Sequence, residues 1–239
     1  MNYPPNAQLH PAQSSILRSL RRLPVARFST LLQPTGLESA NFKFHIRALQ
    51  NLGYIEKLPT GEYRLTLIGK EFSNNLDKST RSIQKQPKLS IIVVISKTDE
   101  TGRRQYLCQE RHRNPYWGYW SFISGPLRWG VTPEEAAQSE VLKQTGLKIS
   151  CQVRAFLRKR DYIKTSNVLL EDKLFTIVEA SHPQGTLSNS WQGGENAWLT
   201  LEELRAKTKR YEENFEVVDM LQCGIPYKIR DAYYHTAEY

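Results

Sequence analysis

The chain has 239 residues, 39% of them hydrophobic and 24% charged, a composition that suits two folded domains and excludes a disordered or low-complexity protein. No apolar run approaches the ~20 residues that span a bilayer, and the polar, Pro-containing start from Met1 to His10 lacks the apolar core of a secretory signal, so the cytoplasm is the expected compartment. Cys108, Cys151 and Cys223 lie far apart, with no CxxC pair and no zinc spacing, which points to free thiols and no structural metal.

The formal net charge is +9, and it is unevenly spread. Residues 1–86 hold twelve Lys/Arg against five Asp/Glu, a net of +7, whereas residues 87–239 hold twenty-one against nineteen, a net of +2. A small basic domain joined to a larger, near-neutral one suggests a polyanion partner for the first.

In chain order, Ile16, Leu17, Leu20 and Leu23 recur at helical spacing and stop at Pro24. A short second helix is predicted over 26–32, ending at Gln33-Pro34, and a third over about 39–52. The third carries an apolar stripe of Phe42, Ile46, Leu49 and Leu52, with Gly53 closing it. Two short strands, 54–58 and 63–67, flank the turn Pro59-Thr60-Gly61-Glu62, and a helical piece begins near Ile68. The polar stretch NNLDKSTRSIQKQ before Pro87 reads as a linker. The domains are set at 8–76, with a linker at 77–87, then 88–208, then a C-terminal helix and tail at 209–239.

After the linker, Leu89 to Ser96 contains the β-branched run IIVVIS, the mark of a buried strand, and 105–109 returns as a second strand. A Trp-rich loop (NPYWGYW) leads to Gly125. The helix predicted from Pro133 to Gln144 is capped by Thr132 and ended by Gly146. Further strands are expected at 152–157, 173–180 and 195–199, then a helix from Leu201 and another from Arg210 to Leu221. Residues 227–239 receive no assignment. The fold class is α+β.

The stretch ANFKFHIRALQNLGYIEK…GEYRLTLIGKEF resembles the recognition helix and wing of ArsR- and MarR-like regulators. The resemblance implies an N-terminal winged helix-turn-helix that binds double-stranded DNA. Independently, the third helix carries Ser39, Asn41, Lys43, His45, Arg47 and Gln50 away from its apolar stripe, donors and acceptors able to reach base edges and phosphates. Lys57 and Arg64 of the hairpin are placed to touch neighbouring phosphates. A basic, solvated protein-interaction module is the bland alternative.

The stretch GPLRWGVTPEEAAQSEVLKQTGL, 125–147, resembles the Nudix box G-x5-E-x7-R-E-U-x-E-E-x-G-U, where U is bulky and apolar. Trp120 before the first glycine, and Glu195 with Trp198 before a Leu-Glu-Glu-Leu helix, extend the resemblance over about 90–205. It implies an α/β/α sandwich with a mixed sheet. In that family, helix carboxylates at i, i+3 and i+4 hold Mg²⁺ or Mn²⁺ to cleave a pyrophosphate. The matching positions here are Glu140, Lys143 and Gln144, so only a vestigial Glu140 is acidic; the box's first Glu and its Arg are Val131 and Ser139.

No cofactor and no metal site are therefore expected, with Mg or Mn only if a pyrophosphohydrolase survives on carboxylates borrowed from Glu171, Asp172 or Glu195. An ammonium at 143 where a dication would sit favours anions. Lys143, Gln144, Arg111, Arg113 and Trp117 are accordingly the candidate ligand-binding residues, Trp117 by stacking on a base. Lys143 simply pairing with Glu140 is the bland reading. The expected function is a DNA-binding transcriptional regulator whose non-catalytic Nudix-like domain senses a nucleotide-like phosphorylated metabolite. The alternatives are an atypical hydrolase of nucleoside diphosphate derivatives and a protein scaffold. Homodimerisation through the helix at 210–221 is a further expectation, set against packing of that helix on its own domain.

Overall fold

A computed structural model describes residues 9–77 and 84–237. The chain divides into two compact units, Met1–Lys85 and Gln86–Tyr239. Most of the expected linker, 78–83, lies outside the described residues.

In the first unit, α1 (Pro11–Arg22) begins at a capping box: His10 Nδ1 accepts from the Ala12 N–H, and Gln13 accepts from the His10 N–H. It starts well before the Ile16 that sequence periodicity marks. Helix α2 (Phe28–Leu32) and a 3₁₀ turn (Gln33–Thr35) lead to Gly36, whose φ of 66° closes the turn. Helix α3 (Ser39–Asn51) buries Phe42, Ile46 and Leu49, each worth roughly 1.5–3 kcal/mol of transfer free energy. Strands β1 (Ile55–Lys57) and β2 (Tyr63–Leu65) pair antiparallel, with Ile55 opposite Leu65. Helix α4 (Leu67–Asn74), capped by the Thr66 hydroxyl, lies so close to the hairpin that a Cβ on Gly69 would fall 1.8 Å from the Tyr54 carbonyl oxygen. Ile16, Leu17, Leu31, Phe42, Leu49 and Tyr54 share one core.

The second unit is built on an eight-stranded mixed sheet in the order β10-β6-β7-β3-β5-β4-β9-β8. Its strands are β3 (Lys88–Thr98), β4 (Arg104–Arg111), β5 (Trp120–Pro126), β6 (Lys148–Ile163), β7 (Leu169–Gln184), β8 (Ser190–Trp191), β9 (Gly194–Leu199) and β10 (Tyr227–Tyr234). The pairs β3/β7 and β6/β10 are parallel and the others antiparallel. Both faces of β3 are covered, which explains its unbroken apolar run. Ile91, Val93 and Ile95 pack with Ala137 and Val141 of α5 (Pro133–Thr145). Ile92 and Val94 pack on the opposite side with Leu204 of α6 (Leu201–Ala206) and Val217, Val218 and Met220 of α7 (Glu213–Cys223).

Three sequence expectations change here. Residues 120–126, expected in a loop, form β5 at the centre of the sheet. The strands expected at 152–157 and 173–180 are the middles of two 16-residue strands. The helix expected at 210–221 is α7, shifted to Glu213–Cys223; its Phe215 and Val218 are buried in its own unit's core, the packing that the sequence favours over a dimer surface. A bulge in β6 between Val153 and Ala155 has a long-range consequence. Before it, Ile149, Cys151 and Val153 face the α5 core; after it, Ala155 and Leu157 face α7. The extra residue thus turns Lys159 and Asp161 inward, on the side of Leu157. Among the described residues, no helix is long and apolar enough to cross a membrane.

Candidate functional site

Helix α5 is fixed at both ends. Thr132 and Glu135 form a reciprocal capping box, Pro133 occupies the first turn, and Gly146 closes the helix at φ 75°. Gly125 of β5 lets the helix lie against the sheet, because a Cβ there would sit 2.6 Å from Glu140 Cγ. Glu140 is thereby held half-buried beside β5.

Gln144 is only 1% exposed. Its Nε2 donates to Glu140 Oε2 at 2.7 Å and to the Ser124 carbonyl at 3.0 Å. Its Oε1 accepts from Gln109 Nε2 at 3.2 Å, and Gln109 also donates to Asn196 Oδ1 at 3.0 Å. Asn196 Nδ2 in turn donates to the Gln144 and Ser188 carbonyls. Three neutral amides and one carboxylate therefore close a buried network with the geometry of ordinary hydrogen bonds. Lys143 is exposed and makes no ion pair with Glu140 among the described residues. A dication fits this group poorly: it would meet one carboxylate and three neutral amides. Among the described residues, no three His, Cys, Asp or Glu side chains gather around a point. Glu171 is paired with Lys88 and Lys173, Asp172 with Arg158, and Glu195 is exposed on β9, so the borrowed carboxylates do not converge on Glu140.

Beside this network, on the α7 side of the sheet, lies a cavity of about 330 Å³. Its lining includes five cations (Lys88, Arg111, Arg113, Lys159 and Lys173) and two carboxylates (Glu171 and Glu213), a surplus of three positive charges. Glu171, 8% exposed, accepts from Lys88 Nζ at 2.8 Å and is bonded by Lys173. Burial pushes its carboxyl up, but the two lysines outweigh that and hold it below the usual range.

Lys159, 3% exposed, meets Glu213 Oε1 at 2.7 Å and Asp161 Oδ1 at 3.2 Å, and donates to Tyr234 Oη at 2.9 Å. Burial alone would lower this lysine's pKa; the two carboxylates raise it above its ordinary value, so it stays charged. Its ammonium sits 4.5 Å from the centre of the Tyr211 ring. Tyr116, at φ 67°, donates its hydroxyl to Asp161 Oδ2 at 2.9 Å. These charges are internally matched. Arg111 and Arg113 are not: among the described residues neither makes an ion pair. Arg111 instead donates to the carbonyls of Arg113, Asn114 and Pro115, bracing the loop, and Arg113 lies 5.6 Å over the Trp191 ring.

Residues 87–221, 135 of the 239, match the model of the NUDIX domain. The chain belongs to the Nudix family. The second unit is accordingly a mixed α+β Nudix domain with a mixed sheet. No curated protein matches the chain significantly. Among solved structures, the NUDIX domain of Shewanella oneidensis NrtR, complexed with ADP ribose, is 12% identical with a TM-score of 0.49, over 66% of this chain and 97% of that one. A NUDIX hydrolase from Nitrosomonas europaea is 20% identical with a TM-score of 0.47, over 59% and 93%. A MutT protein from Bacillus halodurans is 13% identical with a TM-score of 0.49, over 64% and 93%.

Of the ligand residues expected from sequence, Arg111 and Arg113 line the Nudix-domain cavity, and Gln144 adjoins it through Gln109. Lys143 and Trp117 do not line it; Trp117 is 56% exposed and stacks on His112. Lys88, Lys159, Lys173 and Glu213 escaped the sequence reading. The signal for Lys159 and Asp161 is present but faint: charges alternating at i, i+2 in phase with Ala155 and Leu157. In the first unit, Ser39, Asn41, Lys43, Arg47 and Lys57 are exposed, and Arg64 is exposed but bonded to Glu56 at 2.6 Å. His45 is half-buried, stacked on His10 with centroids 4.1 Å apart. Phe44, 69% exposed, joins that solvent-facing side of α3.

Proposed function

We propose that the chain is a DNA-binding regulator whose Nudix domain binds a nucleotide-like phosphorylated ligand without cleaving it. The observation that carries the reading is Gln144. Its amide donates to Glu140 where hydrolysis would need a second carboxylate, and Gln109 and Asn196 complete the replacement. The network offers a dication one carboxylate, with one oxygen already bonded to an amide, and neutral amides where further carboxylates would be needed. The adjoining cavity, with a surplus of two positive charges once Asp161 is counted against Lys159, suits a multiply charged anion. Phe122, Phe175 and Tyr211 supply apolar lining for a ring, and the volume falls at the lower end of small-ligand sites, roughly 300–1,000 Å³.

The first unit is read as a winged helix. Its order of three helices, hairpin and closing helix supports this, as do the exposed Ser39, Asn41, Lys43 and Arg47 along one side of α3. The net charge of +7 over residues 1–86 favours a polyanion. Two such units reading two half-sites would require a homodimer.

The test is a panel of ADP-ribose, NADH and nucleoside triphosphates with Mg²⁺ or Mn²⁺, scored for thermal shift and phosphate-bond cleavage together. A ligand at a hundred times its Kd adds about 2.7 kcal/mol, or roughly 5–10 °C for a domain of this size. A rise of that order without product supports the sensor. Metal-dependent turnover that Glu140→Gln abolishes would replace it with a hydrolase.

A further inference from the structure

Beyond its bulge, β6 turns one side toward α7 and carries the exposed Phe156 on the other. On that outer side Phe156, Arg158, Arg160 and Tyr162 lie beside Tyr227, Ile229, Asp231 and Tyr233 of β10, in register. The pairing is visible in side chains as well as backbone: Tyr162 stacks on Tyr233 at 5.4 Å, and Arg160 grips Asp231 through Nε and Nη2. On the third strand, Arg158 grips Asp172 in the same two-pronged way. The alternate residues of β10 face α7, where Lys228 and Arg230 meet Glu216.

We infer that this outer face of β10, β6 and β7 is the surface through which two copies of the chain associate. Phe156, Tyr227 and Tyr233 are 43%, 49% and 54% exposed, and at ~200 Å² per aromatic side chain they present about 300 Å² between them. Ile229 at 51% and Leu169 at 43% extend the patch to roughly 400–450 Å², the size of the largest apolar patch a monomer carries and one that is often functional.

The charges choose the partner. Two arginines and two aspartates share the face, each arginine already bound to an aspartate, so its net charge is zero. A nucleic acid or a strongly charged protein gains nothing from such a surface. A second copy, brought by a two-fold rotation, sets apolar residues on apolar residues and balanced pairs against balanced pairs. Because the pairs are formed before contact, docking leaves no charge buried alone.

The test is sedimentation equilibrium of the full chain from 1 to 100 µM, on wild type, Ile229→Lys and Tyr233→Ser. Wild type should sediment at twice the 27.7 kDa chain mass. Each substitution enters a two-fold interface twice, so association should weaken roughly a hundredfold for Ile229→Lys. Both side chains are half exposed, so thermal unfolding of the separated variant should stay near wild type. Wild type sedimenting as one chain throughout, or variants as dimeric as wild type, would overturn the assignment. A dimer held by the first unit would give the second result.

Discussion

Gln144→Glu asks directly whether the amide network stands where a metal would. The new oxygen would take the place of Nε2, 2.7 Å from Glu140 Oε2 and 3.0 Å from the Ser124 carbonyl. Two unit charges at that separation repel by about 6 kcal/mol at an effective dielectric of ~20, an upper limit that relaxation reduces to about 2. The bond to a charged acceptor and the bond to Ser124 are lost as well, together about 2 kcal/mol. A penalty near 3–4 kcal/mol corresponds to a fall in Tm of roughly 10 °C for a domain of this size. The paired carboxylates then have a use for a dication. In 1 mM MnCl₂ the variant should recover at least half of the loss, measured by differential scanning calorimetry against EDTA. Adding Lys143→Glu, at an exposed position, should enlarge the recovery by completing three acidic positions on one helix face. Wild type should not respond. If wild type gains as much from Mn²⁺ as the variant, the network is no substitute for a metal and the argument for a non-cleaving cavity fails.

Glu171→Gln tests the cavity's ionic balance. The carboxyl is held below its unfolded value of 4.5 because Lys173 and Lys88 outweigh its burial. Its pairing therefore stabilises the fold above that value and is lost as pH falls through the lower folded one. The variant should lose about 1–2 kcal/mol at pH 7 and show a flatter decline of Tm on acidification below pH 4.5. An unchanged acid limb would mean that Glu171 does not supply it. In the first unit, Lys43→Ala and Arg47→Ala should each weaken binding to duplex DNA. If they touch phosphates, each should reduce the slope of log K against log salt by about 0.9, measured by fluorescence anisotropy; an unchanged slope would remove them from the phosphate contacts.

The helices of both units were legible because each carries its own punctuation. Thr132, Pro133 and Gly146 bracket α5 within a few residues of where the sequence puts it, and Phe42, Ile46 and Leu49 fix the buried stripe of α3. The strands were less legible for a physical reason. β5 alternates poorly, since Ser124 lines a cavity rather than a packed core and Gly125 lies against Glu140, and so it passes for a loop. β10 exposes Tyr227, Ile229 and Tyr233 on one side and turns Lys228 and Arg230 toward α7, an inversion of the usual apolar-inside pattern. Pattern reading assigns such a segment to nothing.

At the candidate site, the loss of acidic residues from the helix was visible in the sequence, but its structural meaning was not. A lysine three residues after Glu140 suggests a charge replacing the metal's; instead Lys143 points to solvent and the neutral Gln144 occupies the interior. The reason lies in partners far along the chain. Gln109 and Asn196, 35 and 52 residues from Gln144, approach it only once β4 and β9 pair beside β5. A buried amide with all its bonds satisfied costs the fold little, whereas a buried ammonium there would need a carboxylate partner. The positive charge that the sequence placed on α5 is supplied instead from the sheet, by Arg111, Lys88 and Lys173. The helix face that in this family would hold a cation presents one carboxylate, bonded to the Gln144 amide. What it borders is a cavity lined by Arg111 and Arg113, neither of which has a carboxylate partner among the described residues.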